Sequence, residues 1–358
     1  MEYKVKGITF TMDELSSIPL MDIKTQTVSR SHLFHFLPGN KSAVMLLRAG
    51  DYVEPDFIAK YLDRGLESVY QLPIVSEDDL LVYRSFWERL RNCRTQQEQF
   101  KTRDEVIKRI ALDFFQNREK CFLSFVISCF DEFHIYQSLV MDKFQRSSLV
   151  LYSRALLTSS ISVVASLCSG YADYKFIKDF YNTCFIMDYG LVEYQNYNFT
   201  IGMACESERK DPGTGLSLLE RMKRSKGEIQ TFLQHPNMSY EYAITQSENF
   251  HHPEILEMIK MHHEKTDGLG FPNGYSYSAM SDSETLLTFC DYMVPFEEHE
   301  FVVGDGFKIL FDGFGDLKRL TNKNRLPILK VIKSWDEIMK WAIESARKVD
   351  KEVLGEAS

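Results

Sequence analysis

The stretch from Pro253 to Pro272 constrains this chain more than any other. A run reading Pro253-Glu254-Ile255-Leu256-Glu257-Met258-Ile259-Lys260 leads into Met261-His262-His263-Glu264, followed by a loop punctuated by Asp267-Gly268, Gly270 and Phe271-Pro272. Ile255, Met258, Ile259 and His262 recur at helical spacing, and proline suits a first helical turn. The spacing predicts an α-helix that delivers two histidines to a loop. Neighbouring helical residues diverge by about 100°, so both imidazoles reach one point most easily at the last turn, where the Gly and Pro breakers stop the helix. Paired histidines held there suggest a metal; the plainer alternative is a solvent-facing loop or a satisfied core histidine.

At 358 residues, 44% hydrophobic and 13% aromatic, the chain can build more than one core. The formal net charge of -9 argues against a general binder of DNA or anionic membrane, whose phosphates the mean field repels. A small anionic ligand needs a local basic patch, for which Arg221, Lys223, Arg224 and Lys226 are candidates, although a solvated helix face explains such a run too. The N-terminus shows no signal pattern, and the longest apolar run is read around Phe122 to Phe130, too short to span a bilayer. A cytoplasmic protein without membrane insertion is expected. Seven scattered cysteines, with no CxxC pair, predict buried thiols and no disulfide framework.

Residues 1–75 alternate short β-like runs (Tyr3 to Thr11, Ala43 to Leu47) with turn signals such as Pro38-Gly39-Asn40-Lys41. A helix over Asp56 to Arg64 and a strand over Leu66 to Gln71 complete a small α+β module. His32 and His35 are read there as surface residues. From Glu77 onward the pattern turns helical, with a break expected over Asn92 to Arg103. Residues 76–146 are read as a helical linker region, and 147–358 as an all-helical domain with a C-terminal extension. A buried helix is expected over Ser148 to Leu167.

The His262–Pro272 stretch resembles the signature of the HD-GYP family, cyclic di-GMP phosphodiesterases of the HD superfamily. That signature reads His-His-Glu, two variable residues, Asp-Gly, one variable residue, then Gly-Tyr-Pro. Only the tyrosine differs, replaced by Phe271. The first module is also similar to accessory domains found ahead of some such domains. The resemblance implies an all-α HD-superfamily bundle behind the α+β module. It also implies a binuclear centre of divalent ions, Fe first and Mn or Zn as alternatives, and a cyclic dinucleotide ligand in bacterial second-messenger signalling.

Carried over residue by residue, the HD pair falls on Met187-Asp188, so the aspartate is kept and the histidine lost. Asp188 is then the bridging, catalytic carboxylate. His235, in Gln234-His235-Pro236, matches the next ligand, followed by His262 and His263, and Asp291 in the apolar run Leu286 to Met293 matches the last. Ser160 stands where the family has another ligating histidine, and Leu191 where it has a lysine. One firm metal site and one weakened one are expected. Phe271, Arg221 and Arg224 are candidates for the substrate, and Glu264 and Asp267 for supporting a ligating histidine and capping the loop that begins at Gly268. Gly268, Gly270 and Pro272 shape a loop that is either part of the site or a docking surface for a signalling partner. Two readings stay open: a phosphodiesterase, or a degenerate domain that senses the nucleotide or docks a protein around a structural metal.

Overall fold

The computed structural model describes residues 2–37, 42–116, 121–193, 199–211, 213–264, 268, 270–275, 280–299, 301 and 326–353. The expected turn Pro38–Lys41, Asp267, Leu269 and most of the stretch from Phe301 to the last helix lie outside these residues.

The chain opens with a hairpin of β1 (Glu2–Val5) and β2 (Ile8–Thr11). A four-stranded antiparallel sheet follows in the order β3 (Ser16–Pro19), β8 (Ser68–Pro73), β5 (Ser31–Leu37), β6 (Ser42–Leu47). Strands β4 (Thr27–Val28) and β7 (Tyr52–Val53) form a separate pair, and α1 (Phe57–Leu62) crosses between β7 and β8. Leu20, Leu33, Leu47, Val53, Phe57 and Val69 make a small core of their own. The other face of the module meets the helices: Val28, Ala49, Tyr52 and Val75 join the main core, and the Tyr152 hydroxyl donates to the Gly50 carbonyl at 2.9 Å. His32 is buried rather than exposed; its Nδ1 accepts the Ala49 N–H at 3.0 Å.

Helices make up the described remainder. α2 (Glu77–Asn92), α3 (Gln96–Gln116), α4 (Cys121–Phe133) and α5 (Ser138–Ser147) lead to α6 (Leu149–Ser169), which packs against α3, α4 and α5. The break expected over Asn92 to Arg103 shrinks to three residues. Thr95 and Glu98 bond each other's backbone N–H, the Ser/Thr-x-x-Glu signature of a helix start, and the Gln-rich sequence beyond is a good helix former.

α6 is long and apolar enough to cross a membrane by length and composition, which corrects the expectation that the longest such run is near Phe122; 89% of that window is buried in the protein. Its serines are compatible with burial because Ser159, Ser160 and Ser162 donate to carbonyls three or four residues back. Among the described residues six cysteines are free, five of them buried.

Around α6 lie α7 (Tyr174–Ile186), α8 (Tyr189–Glu193), α9 (Phe199–Lys210), α10 (Thr214–Arg221), α11 (Lys226–Ile244), α12 (Asp282–Met293) and α13 (Leu326–Val353). The Pro253–Met261 run is a 3-10 helix, not the α-helix that its spacing predicted. Three residues per turn put Ile255, Met258 and Met261 in one stripe and Leu256, Ile259 and His262 in the next, so the same sequence buries an apolar face at either period. Asp179 on α7 pins its start by accepting the backbone N–H groups of His251 and His252. The fold is thus an α+β module followed by a helical bundle.

Candidate metal centre

Four buried side chains from three chain segments converge. Asp188 follows α7, His235 is midway along α11, and His262 and His263 end the 3-10 helix; one ligand atom from each lies within 4.8 Å of all the others. His235 Nε2 is 3.2 Å from His262 Nε2 and 3.1 Å from His263 Nε2, and Asp188 Oδ1 is 3.6 Å from both His235 Nε2 and His262 Nε2.

The ring protons decide what these contacts are. His235 Nδ1 sits 2.7 Å from the Phe232 carbonyl and His262 Nδ1 sits 2.6 Å from the Ile259 carbonyl. Carbonyls only accept, so both Nδ1 atoms carry hydrogen and both neutral rings turn a bare Nε2 lone pair to the centre. Burial holds the rings neutral, pushing the pKa of His235 well below its usual value and that of His262 down as well. Two lone pairs facing each other at 3.2 Å repel, and Asp188 Oδ1 is buried without a hydrogen-bond partner. A cation answers both. Ligand atoms about 2.0–2.2 Å from one ion sit roughly 3.0–3.5 Å apart in tetrahedral or octahedral geometry, and the 3.1, 3.2 and 3.6 Å separations here are close to that.

The sequence builds this locally. Pro236 lies inside α11, where proline lacks the N–H that would bond the carbonyl four residues back. That carbonyl belongs to Phe232, and the His235 ring takes it. Gly190 makes room for the same residue: a Cβ there would stand 2.3 Å from the His235 carbonyl oxygen. Its N–H donates to Ser239 Oγ at 2.8 Å, tying α8 to α11.

The loop after the histidines is tied from within. Both oxygens of buried Glu264 accept backbone N–H groups, from Asn273 and Tyr275, each at 2.7 Å. Of the two roles expected of Glu264 and Asp267, support of a ligating histidine and capping of the loop, Glu264 performs the one that serves the loop. Gly268 and Gly274 adopt φ of +75° and +71°, and a Cβ on Gly268 would meet the Gly274 carbonyl at 3.3 Å. Phe271 donates its N–H to the His263 carbonyl and lays its ring on the His263 imidazole, centroids 4.6 Å apart. That ring is buried against the centre, beside Phe232. Arg221 is exposed at the end of α10, and Arg224 pairs with Glu228 and Thr200.

Asp291 on α12 is buried, its Oδ2 3.8 Å from His263 Nδ1. Its other oxygen meets a residue that the sequence reading passed over. The guanidinium of Arg154, fully buried on α6, bonds Asp188 Oδ2 through Nη1 and Asp291 Oδ1 through Nη2. Nη2 also reaches the Asp291 carbonyl at 3.0 Å, Nε reaches the Val294 carbonyl at 3.1 Å, and the Phe296 ring lies 3.9 Å away. A signal for it existed, since Arg154 is the single charge in the Leu149–Ser169 sequence and a buried charge needs a partner. Ser160 and Met187, standing where the family has histidines, take no part: the Ser160 hydroxyl donates to Leu156, and Met187 is buried among apolar groups.

Among solved structures, the chain is similar to Bd1817, an HDG"Y"P protein from Bdellovibrio bacteriovorus. The match covers 91% of this chain and 99% of that one at 16% identity, with a TM-score of 0.37. No family model and no curated protein matches the chain. At that similarity the likeness carries no argument about the centre, which is read from its own donor set: a buried three-His, one-Asp cluster able to hold a metal ion.

Proposed function

We propose that this chain is a metal-dependent phosphodiesterase-type protein that acts on cyclic di-GMP in bacterial second-messenger signalling. The observation that carries the proposal is the convergence of Asp188, His235, His262 and His263 on one point, with bare Nε2 lone pairs on His235 and His262 and an unpaired carboxylate oxygen on Asp188. Those four residues would hold the ion, with Fe preferred and Mn or Zn alternatives for such a mixed N/O set. A bound divalent ion there supplies Lewis-acid stabilisation of a phosphoryl oxygen and acidifies water. The chain's own groups do the rest: the buried His235 and His262 rings stay neutral, Phe271 keeps water off one face of His263, and the loop tied to Glu264 borders the site. Residues 1–75, with a small core of their own, are proposed as the accessory module of a cytoplasmic protein.

One observation favours a second reading. Arg154 engages Asp188 and Asp291 together, and Met187 and Leu191 are apolar, which suits a domain that keeps the ion for structure and reads the nucleotide or docks a partner through the Gly268–Pro272 loop.

Single-turnover assays on anaerobically purified protein with Fe(II) or Mn(II), products separated by chromatography, decide between them. Conversion to the linear dinucleotide that disappears in His263→Ala supports hydrolysis. Calorimetric binding of cyclic di-GMP without conversion moves the function to sensing. Neither binding nor conversion by metal-loaded protein would sink the cyclic di-GMP assignment.

A further inference from the structure

The resemblance implies a second ion, bridged to the first by Asp188 and served by Asp291, and the residues present do not fit it. Asp188 Oδ2 and Asp291 Oδ1 are both taken by Arg154, and Ser160 and Met187 supply no imidazoles. The geometry points to a mononuclear centre in which the Arg154 guanidinium is the second cation. This rests on the reading of the four-residue cluster as a metal site, and not on any turnover.

Charge and connectivity support it. Asp188 divides its two oxygens between two positive centres: Oδ2 holds the guanidinium, while Oδ1 faces His235 and His262 with no other partner. Against Asp188, Asp291 and the nearby buried Glu264 stand one divalent ion and one guanidinium, which already balance. A second divalent ion leaves a buried surplus of positive charge, and burying uncompensated charge is costly. Four of the five guanidinium N–H groups have acceptors in place: the two carboxylates and the carbonyls of Asp291 and Val294. A group held this way does not exchange with solvent ions or chelators. Arg154 is therefore a positioning residue, aiming the free oxygen of Asp188 at the histidines and closing the place of a second ion.

The test loads the full chain with excess Mn(II), removes unbound ion, and measures stoichiometry by elemental analysis and coupling by electron paramagnetic resonance. One Mn(II) per chain with an uncoupled six-line spectrum is expected. Two ions per chain with an exchange-coupled spectrum would overturn the inference and leave the metal centre standing, whereas no bound ion removes the centre itself. Arg154→Lys, which keeps the charge, should stay at one ion; Arg154→Gln, checked for folding by circular dichroism, should rise from one toward two. One ion in a folded Arg154→Gln variant would assign the exclusion to the missing histidines and overturn the role of Arg154. If that variant does not fold, the wild-type and Lys stoichiometries still decide.

Discussion

Two regions of this molecule bury histidine, and they do opposite things with it. In the sheet module His32 turns Nδ1 to the Ala49 N–H, so its lone pair is used by the backbone. In the helical bundle the backbone carbonyls of Phe232 and Ile259 take the ring protons of His235 and His262, so the lone pairs are pointed at one another. Burial alone does not mark a metal ligand. What separates these rings is where the lone pair goes: the Ala49 N–H takes that of His32, whereas the Phe232 and Ile259 carbonyls leave those of His235 and His262 turned to a shared point beside Asp188.

The strongest way to break this contrast is to delete a ring on each side. His235→Ala is expected to weaken metal binding by about 100-fold or more, since even partners outside a metal's ligand shell are worth roughly 10–100-fold. His32→Ala should leave metal content unchanged and cost about 1–3 kcal/mol through the stranded Ala49 N–H. Elemental analysis and urea unfolding read the two effects, and metal loss in His32→Ala would collapse the distinction.

Gly190→Ala comes next. Its Cβ would drive into the His235 carbonyl, and overpacking of this kind costs roughly 1–3 kcal/mol. Because the residue displaced is a ligand, metal affinity should fall about tenfold as well; unchanged affinity by competition titration would mean that α8 does not position His235.

Pro236→Ala sharpens the argument about ring protons. The restored N–H competes with the His235 ring for the Phe232 carbonyl, so metal affinity should drop several-fold. Helix stability should rise, by up to about 3 kcal/mol at an ordinary interior position. Opposite signs in titration and unfolding are the expected outcome, and parallel changes would refute it.

The smallest effect is on pH dependence. Burial, aided by the nearby Arg48 guanidinium, pushes the His32 pKa from 6.5 down to about 4. The unfolded chain then binds a proton that the folded one refuses, so the contribution of His32 is complete above pH 6.5 and is lost as pH falls from 6.5 toward 4. Metal-free wild type should lose stability over that window more steeply than His32→Gln; equal slopes would show that His32 titrates normally.

The chain itself determined what depends on neighbours in sequence. Helix starts such as Thr95-Gln96-Gln97-Glu98, the stop of α6 at Gly170, and the proximity of His262 to His263 follow from residues a few positions apart. The bundle behind an α+β module was legible in the change of pattern after residue 75. The period of the Pro253–Met261 helix was not, because its apolar residues suit three residues per turn as well as 3.6. Which histidines meet was inferred by resemblance, and the fold brings those residues together; their protonation was decided by Phe232 and Ile259 carbonyls that only a folded helix presents. The arginine side of the centre belongs wholly to tertiary structure. Arg154 lies 34 positions from Asp188 and 137 from Asp291, so its charge reads in sequence as an anomaly in an apolar helix and becomes a cation between two carboxylates only when α6 is packed against α7 and α12.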